Sequence, residues 1–549
     1  MNNINLNWAY EISNTLYSLG VRHVCICPGA RNTALTIAFT SKNKFNATSH
    51  IDERSAGYFA LGLSKKTQVP TIIITTSGTA IANLFPSLIE ANYSKTPLIA
   101  LTADRPADLV GVGENQSINQ HNIYGAHVRD SFEIGLPIID YSKLTETLIT
   151  AYNKSMGSYH IPPGPIHINA PFDEPIVDCI NPQNKEYNIL THQRKKIDYK
   201  IECMDLDFTN SLIVCGEIHP DDSLNSILEF SEYINAPIFA DPTSNIRYYK
   251  KHPNVISNYN YIINNIPSPN YIIRFGRKPT SKIVTNYIKK HSKVLLIDRY
   301  PEFNDSSAHA IKSDYVRFVD YVKLNSSKIN KNSMFENILT QQKNITSIIE
   351  DYSKENSNCE GLFINELLTE IEPHSNIFIG NSMAIREADD LTQNITKKHK
   401  VYSNRGASGI DGLVSTAIGL GYDSPDNLNI CIIGDLSLYH DMNGLHFLKK
   451  NNINTKFIII NNNGGGIFST LPINELNYSR FTEFWTTPLD IDIKNIAKVY
   501  DIEYLRVKDS CEALVAINKN SNPMIIDYKV DVNQTRKVKR ELISMIVNN

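Results

Sequence analysis

The stretch Asn429-Ile430-Cys431-Ile432-Ile433-Gly434-Asp435-Leu436-Ser437 decides how this chain is read. It is an apolar run of the kind buried in parallel sheets, and it leads straight into Gly-Asp. Glycine at position 434 lets a phosphate approach the backbone, and Asp435 offers a hard carboxylate oxygen. A helix expected from near Leu438 would turn its N-terminus toward an anion. One helix further on, Lys456–Ile460 repeats the pattern and ends in Asn461-Asn462-Asn463-Gly464-Gly465-Gly466. Two adjacent parallel strands would carry Asp435, the amide oxygen of Asn462 and the carbonyl of Gly464 to one sheet edge. Mg²⁺ takes near-octahedral oxygen ligands, few from protein and the rest from phosphate and water, so these three fit a metal–diphosphate site. Either half alone is commonly a capped turn or an Asn-Gly loop. The combination, each half behind an apolar strand, points to chemistry.

Outward from this stretch, short apolar runs alternate with helical patterns along the whole chain, which implies βαβ units and parallel sheets. The first third holds Val21–Cys27, Thr71–Thr75 and Pro97–Leu101, the middle third Ser211–Cys215, Pro237–Ala240, Tyr271–Phe275 and Lys293–Ile297. The last third adds Asn376–Ile379 and Met524–Tyr528. Asp178–Asp207, with Arg194-Lys195-Lys196, reads as a linker, and Ser326–Ser357 as a polar connection with helical patches. The fold expected is α/β: three successive domains with mainly parallel sheets, at residues 1–180, 195–330 and 355–549. A chain of 549 residues is too long for one hydrophobic core, which agrees.

Composition excludes several classes. A net charge of −3 supplies no global field for nucleic acid or an anionic membrane. No apolar run reaches the roughly 18–20 residues that span a bilayer, and the polar, Asn-rich start does not read as a signal peptide. Eight cysteines without a Cys-x-x-Cys read as reduced thiols of a cytoplasmic protein. Gly111-Val112-Gly113 runs on into Glu114 without a third glycine, so it is no dinucleotide fingerprint.

In open α/β sheets ligands bind beyond the carboxyl ends of strands. The loops there are Pro28-Gly29-Ala30-Arg31, Thr76-Ser77-Gly78-Thr79 and Thr102-Ala103-Asp104-Arg105-Pro106. His50-Ile51-Asp52-Glu53-Arg54-Ser55-Ala56 opens a helix expected over Ala56–Lys65, and on its own Glu53 would be an acid favoured by the helix dipole. Beside a diphosphate site it gains a second reading. A carboxylic acid on the pyrimidine nitrogen of thiamine diphosphate favours the tautomer that activates the cofactor, while the protein supplies orientation and electrostatics.

These stretches, together with Asn115-Gln116, Gly380-Asn381-Ser382 and Asn404-Arg405-Gly406-Ala407-Ser408-Gly409-Ile410-Asp411-Gly412, resemble the 2-succinyl-5-enolpyruvyl-6-hydroxy-3-cyclohexene-1-carboxylate synthases of menaquinone biosynthesis. The match covers the first and last thirds in family order and is loose in the middle, around Phe275-Gly276 and Ser281-Lys282. It implies decarboxylation of 2-oxoglutarate and transfer of the succinyl carbanion to isochorismate, with thiamine diphosphate and Mg²⁺, Mn²⁺ being an alternative metal. It implies pyrimidine-binding, middle and diphosphate-binding domains, and a homodimer or homotetramer with active sites at the subunit interface. Glu53 would be the catalytic residue and Asp435, Asn462 and Gly464 the metal ligands. Ser77, Gly78, Ser382, Gly434, Leu436, Ser437, Gly465, Ile467 and Phe468 would line the cofactor, and Ile410 would bend it. Both substrates are dicarboxylates, and Arg pairs with carboxylates bidentately. The substrate candidates are Arg31, Arg105, Arg386 and Arg405, with Lys282, Asn115, Gln116 and Ser382. Ala30 and Asn32 stand where the family often shows Ser, so a hydroxyl contact there is lost or taken over by Asn32. His50, His121 and His440 read as loop or core histidines.

Two other readings remain. An acetolactate-synthase-like 2-oxoacid ligase or decarboxylase would lack use for the Arg set. A non-catalytic cofactor-binding relative would not need Glu53, Asp435 and Asn462 together.

Overall fold

The computed structural model describes residues 3–41, 43–158, 160–177, 201, 207–304, 309–356, 359–393, 395, 397–476, 478–519 and 522–548. The charged stretch read as a linker therefore lies almost wholly outside the described residues. Among the described residues three six-stranded sheets follow one another, and every strand pairing is parallel. The first contains β1 (His23–Ile26), β2 (Asn46–Ser49), β3 (Thr71–Thr75), β4 (Leu98–Asp104), β5 (Ser131–Glu133) and β6 (Pro165–Pro171). The second contains β7 (Leu212–Cys215), β8 (Ile238–Ala240), β9 (Val255–Ile256), β10 (Ile272–Phe275), β11 (Val294–Asp298) and β12 (His309–Lys312). The third contains β13 (Asn376–Ile379), β14 (Lys400–Tyr402), β15 (Asn429–Gly434), β16 (Thr455–Asn461), β17 (Glu503–Val507) and β18 (Met524–Lys529).

The first and third sheets share one strand order, β2-β1-β3-β4-β6-β5 and β14-β13-β15-β16-β18-β17. The second runs β12-β11-β10-β7-β8-β9, the doubly wound order of dinucleotide-binding sheets, with its switch point between β7 and β10. At that point the loops close on one another. Arg277 donates its backbone N–H to the Glu217 carbonyl at 3.0 Å and pairs with the Glu217 carboxylate at 3.0 Å. A Cβ at Gly216 would lie 1.6 Å from the Arg277 carbonyl oxygen, so the chain's own backbone fills the crevice.

The chain divides into two compact units. One comprises residues 1–196, 404–425 and 440–453, the other 197–403, 426–439 and 454–549. In the first, the core gathers beneath the first sheet around Trp8, Phe39, Ile99 and Ile168. The helix Leu413–Tyr422 packs there against the helix Glu53–Thr67. Gly62 and Gly419 make the approach close: a Cβ at Gly62 would lie 2.1 Å from the Thr416 carbonyl oxygen, and one at Gly419 would lie 2.1 Å from that of Phe59. In the second unit one apolar cluster joins Phe239 and Ile272 of the second sheet to Leu391, Val538 and Leu542.

That cluster corrects the reading of Ser326–Ser357 as a connection. Ser333–Glu355 is one helix whose Met334, Ile338, Ile345 and Ile349 are buried in the same core. Polar residues on its other face conceal the stripe. The helix behind Asp435 also differs from expectation, running over Asp435–His440 and so starting at Asp435 itself. No helix among the described residues is long and apolar enough to cross a membrane. The described cysteines, Cys25, Cys27, Cys215, Cys359, Cys431 and Cys511, are free thiols.

Candidate active site

In the second unit, β15 and β16 are neighbours with Gly434 opposite Ile460, so Asp435 and Asn461 leave the sheet side by side. Asp435 is buried. Its Oδ1 accepts the Leu436 N–H at 2.8 Å and its Oδ2 the Gly464 N–H at 2.8 Å, tying the two loops together. Burial pushes its carboxyl up to about 6, because taking a charge out of water disfavours the ionised form. Asn462 Oδ1 is buried and has no hydrogen-bond partner among the described residues. A buried amide oxygen left bare is costly, and beside a buried carboxylate a hard cation would satisfy it. Gly464 sits at φ +135°, and a Cβ there would lie 2.2 Å from the Thr486 carbonyl oxygen. Gly434 faces open space, with nothing within 4 Å of where its Cβ would be. The donor set thus fits a divalent cation with a phosphate group close to the backbone.

The same sheet edge carries Ser382 and Arg386, because β13 lies next to β15. Ser382 takes φ +69°, and Arg386 donates through Nη1 to its carbonyl oxygen. Ser437 is buried on the first turns of its helix, and Leu436 follows Asp435 directly. Gly465 donates to the Thr486 carbonyl at 2.6 Å, and Ile467 and Phe468 follow in the short 3-10 helix Gly466–Thr470. Lys282 is exposed at the start of the helix Lys282–Lys290 behind β10 of the second sheet.

In the first unit Glu53 is the first residue of the helix Glu53–Thr67. Asp52 caps that helix, accepting from Arg54 N–H at 2.9 Å and Ser55 N–H at 3.2 Å. The cap is itself held, since Asn443 donates to Asp52 Oδ2 at 3.0 Å. Arg54 donates to the His440 carbonyl at 2.7 Å, and buried Asp441 accepts from the Ser415 N–H at 2.7 Å and the Ser415 hydroxyl at 3.0 Å. The position of Glu53 therefore depends on residues far away in sequence.

The loops behind β3 and β4 meet. Ser77 Oγ donates to the Gln116 carbonyl at 2.9 Å, and Gln116 returns a bond to the Ser77 carbonyl at 3.1 Å. Gly78 takes φ +83° and donates its N–H to Gln120 at 3.0 Å. Arg105 Nη2 donates to the Asn115 carbonyl at 2.6 Å, while its buried Nε has no partner among the described residues. Arg31 is buried and already engaged, donating to the Phe172 carbonyl at 3.0 Å and lying 3.2 Å from Glu174. Asn32 follows Arg31 at the N-cap of the helix Thr33–Thr40. It is fully buried and donates to the Cys27 carbonyl at 2.8 Å, closing the turn behind β1. Arg405 and Ile410 lie on one loop, with Ile410 36% exposed. His50 is buried against Phe447, with burial pushing it down to about 4. His121 is an exposed loop residue 3.4 Å from Glu133. Gln120, Asp441 and Asn443 escaped sequence reasoning; only their polar character was visible, and their partners were not.

The descriptions that match this chain agree with the two units' chemistry. The thiamine pyrophosphate enzyme N-terminal TPP binding domain matches residues 7–123, and the C-terminal TPP binding domain matches residues 390–528. The chain is therefore a thiamine-diphosphate enzyme. Among its relatives are the 2-succinyl-5-enolpyruvyl-6-hydroxy-3-cyclohexene-1-carboxylate synthases of Staphylococcus aureus strains JH9 and Mu3, each 37% identical over 517 residues, covering 92% of this chain and 90% of the relative. The chain belongs to that synthase family.

Proposed function

We infer that this enzyme decarboxylates 2-oxoglutarate and transfers the succinyl carbanion to isochorismate, giving the product in the relatives' name and CO₂. The observation that carries the cofactor half is the bare, buried Asn462 Oδ1 beside Asp435 at the shared edge of β15 and β16. Asp435, Asn462 and the Gly464 carbonyl would hold Mg²⁺, or Mn²⁺ in its place, and through it a diphosphate. Bound thiamine diphosphate supplies the electron sink on which a 2-oxoacid loses CO₂. Glu53 would hold a proton at the aminopyrimidine ring, and Ile410 would pack against the cofactor. Arg105, Arg386 and Arg405, with Asn115, Gln116 and Ser382, would orient the substrate carboxylates. Arg31, whose guanidinium also bonds the Phe172 carbonyl and lies 3.2 Å from Glu174, and Lys282 would join this set.

The same reading makes residues 1–180 the pyrimidine-binding domain, 195–330 the middle domain and 355–549 the diphosphate-binding domain, in a cytoplasmic homodimer or homotetramer. The test is incubation with thiamine diphosphate, Mg²⁺, 2-oxoglutarate and isochorismate. Loss of isochorismate matched by CO₂ release, abolished by a chelator and restored by Mg²⁺, is expected. Turnover of pyruvate with isochorismate untouched would favour an acetolactate-type reaction instead.

A further inference from the structure

The loop that carries Arg405 and Ile410 is pinned at both ends. At its start both oxygens of one carboxylate, Glu90, accept backbone N–H groups: Gly406 at 2.8 Å and Ala407 at 2.6 Å. At its end the Tyr58 hydroxyl donates to the Asp411 carboxylate, and Gly412, at φ +68°, lies so close that a Cβ would fall 1.9 Å from the Tyr58 ring. Between these anchors Ser408 takes φ +62° and Ile410 is exposed. Glu90 stands on the helix Phe85–Ser94 and is 2% exposed. Lys65 Nζ, on the helix that begins at Glu53, lies 3.6 Å from it, with both side chains buried. Gly406 is pressed against the same residue, since a Cβ there would lie 2.5 Å from the Glu90 carbonyl oxygen.

A short hydrophobic cap or a backbone turn would suffice to close a loop. A buried carboxylate with its own counter-ion is a costlier device, and it fixes two consecutive peptide units at once. We propose that Glu90, charge-balanced by Lys65, is a positioning residue: it sets the Arg405–Asp411 loop so that Arg405 and Ile410 are presented at a fixed spacing. This rests on the reading of Arg405 as a substrate contact and Ile410 as a cofactor contact. Glu90 itself touches neither.

The test is Glu90→Gln, alone and combined with Arg405→Lys, in the full-length enzyme. One oxygen becomes an amide that opposes a backbone N–H. Hydrogen exchange should show the Gly406 and Ala407 amides protected in the wild type and exchanging at least about tenfold faster in the variant. The KM for isochorismate should rise by about tenfold or more, and Arg405→Lys should cost far less in the Glu90→Gln background than in the wild type, because the two changes remove one function. Glu90→Asp, which keeps the charge and shortens the reach, should show the same pattern at smaller amplitude and serves if Glu90→Gln does not fold. Unchanged exchange at Gly406 and Ala407, or losses that simply add, would overturn the proposal. A wild type that leaves isochorismate untouched while its two amides are protected would overturn the substrate reading, leaving the pinning by Glu90 in place.

Discussion

At the scale of single residues the chain relies on a few buried polar groups whose partners fix their roles. Glu53 heads its helix, where a carboxylate is favoured electrostatically, and the cap at Asp52 keeps the first turn in register. Glu53→Gln should leave the protein folded, with an unaltered far-ultraviolet circular dichroism spectrum, and lower turnover by about 10²–10⁴-fold, the span of a lost proton-transfer group. Full turnover in that variant would remove Glu53 from the reaction. Asp441 gives a pH signature. Burial pushes its carboxyl up to about 7, against an ordinary value of 3.8 in an unfolded chain, so folding favours its protonated form. Its stabilising contribution is complete below the ordinary value and is lost as pH rises through about 7. Asp441→Asn mimics the protonated acid, so the melting temperature of the wild type relative to this variant should fall as pH rises from about 4 to about 7. A difference that stays flat across that interval would contradict the burial of an ionisable group there.

At the scale of elements, the helix Glu53–Thr67 is the organising piece of the first unit. It carries Glu53 at its head, Tyr58 against Asp411 and Lys65 against Glu90, and it lies against the helix Leu413–Tyr422 through glycine on both sides. Any side chain at Gly62 meets backbone, which cannot turn aside. Gly62→Ala should therefore destabilise by about 1–3 kcal/mol, the usual range for overpacking, read as a lower denaturant midpoint. An unchanged midpoint would show that the helices separate without cost. Strands whose residues form unbroken apolar runs were legible: Thr71–Thr75 and Asn376–Ile379 coincide with β3 and β13. Edge strands such as β2 (Asn-Ala-Thr-Ser) and β5 (Ser-Phe-Glu) were not, because they hydrogen-bond on one side only and need no apolar run.

At the scale of the whole molecule, the first and third sheets share one strand order, and the proposed function calls for two or four copies of the chain. Sedimentation of the purified protein should show a species of two or four chains, and dilution to the monomer should abolish turnover; a monomer with full activity would refute the shared-site arrangement. The sequence by itself determined the α/β class, the loops that end the strands, and which oxygen-bearing residues stand beside them. These are local signals: apolar periodicity, glycine at a strand end, and oxygen-bearing residues beside it. Only the tertiary structure decided that Asn462 Oδ1 is bare, that Arg31 is already engaged, and that Glu90 grips a loop 316 residues away. Hydrogen-bond satisfaction is settled by where other parts of the chain come to rest, and no local pattern encodes that.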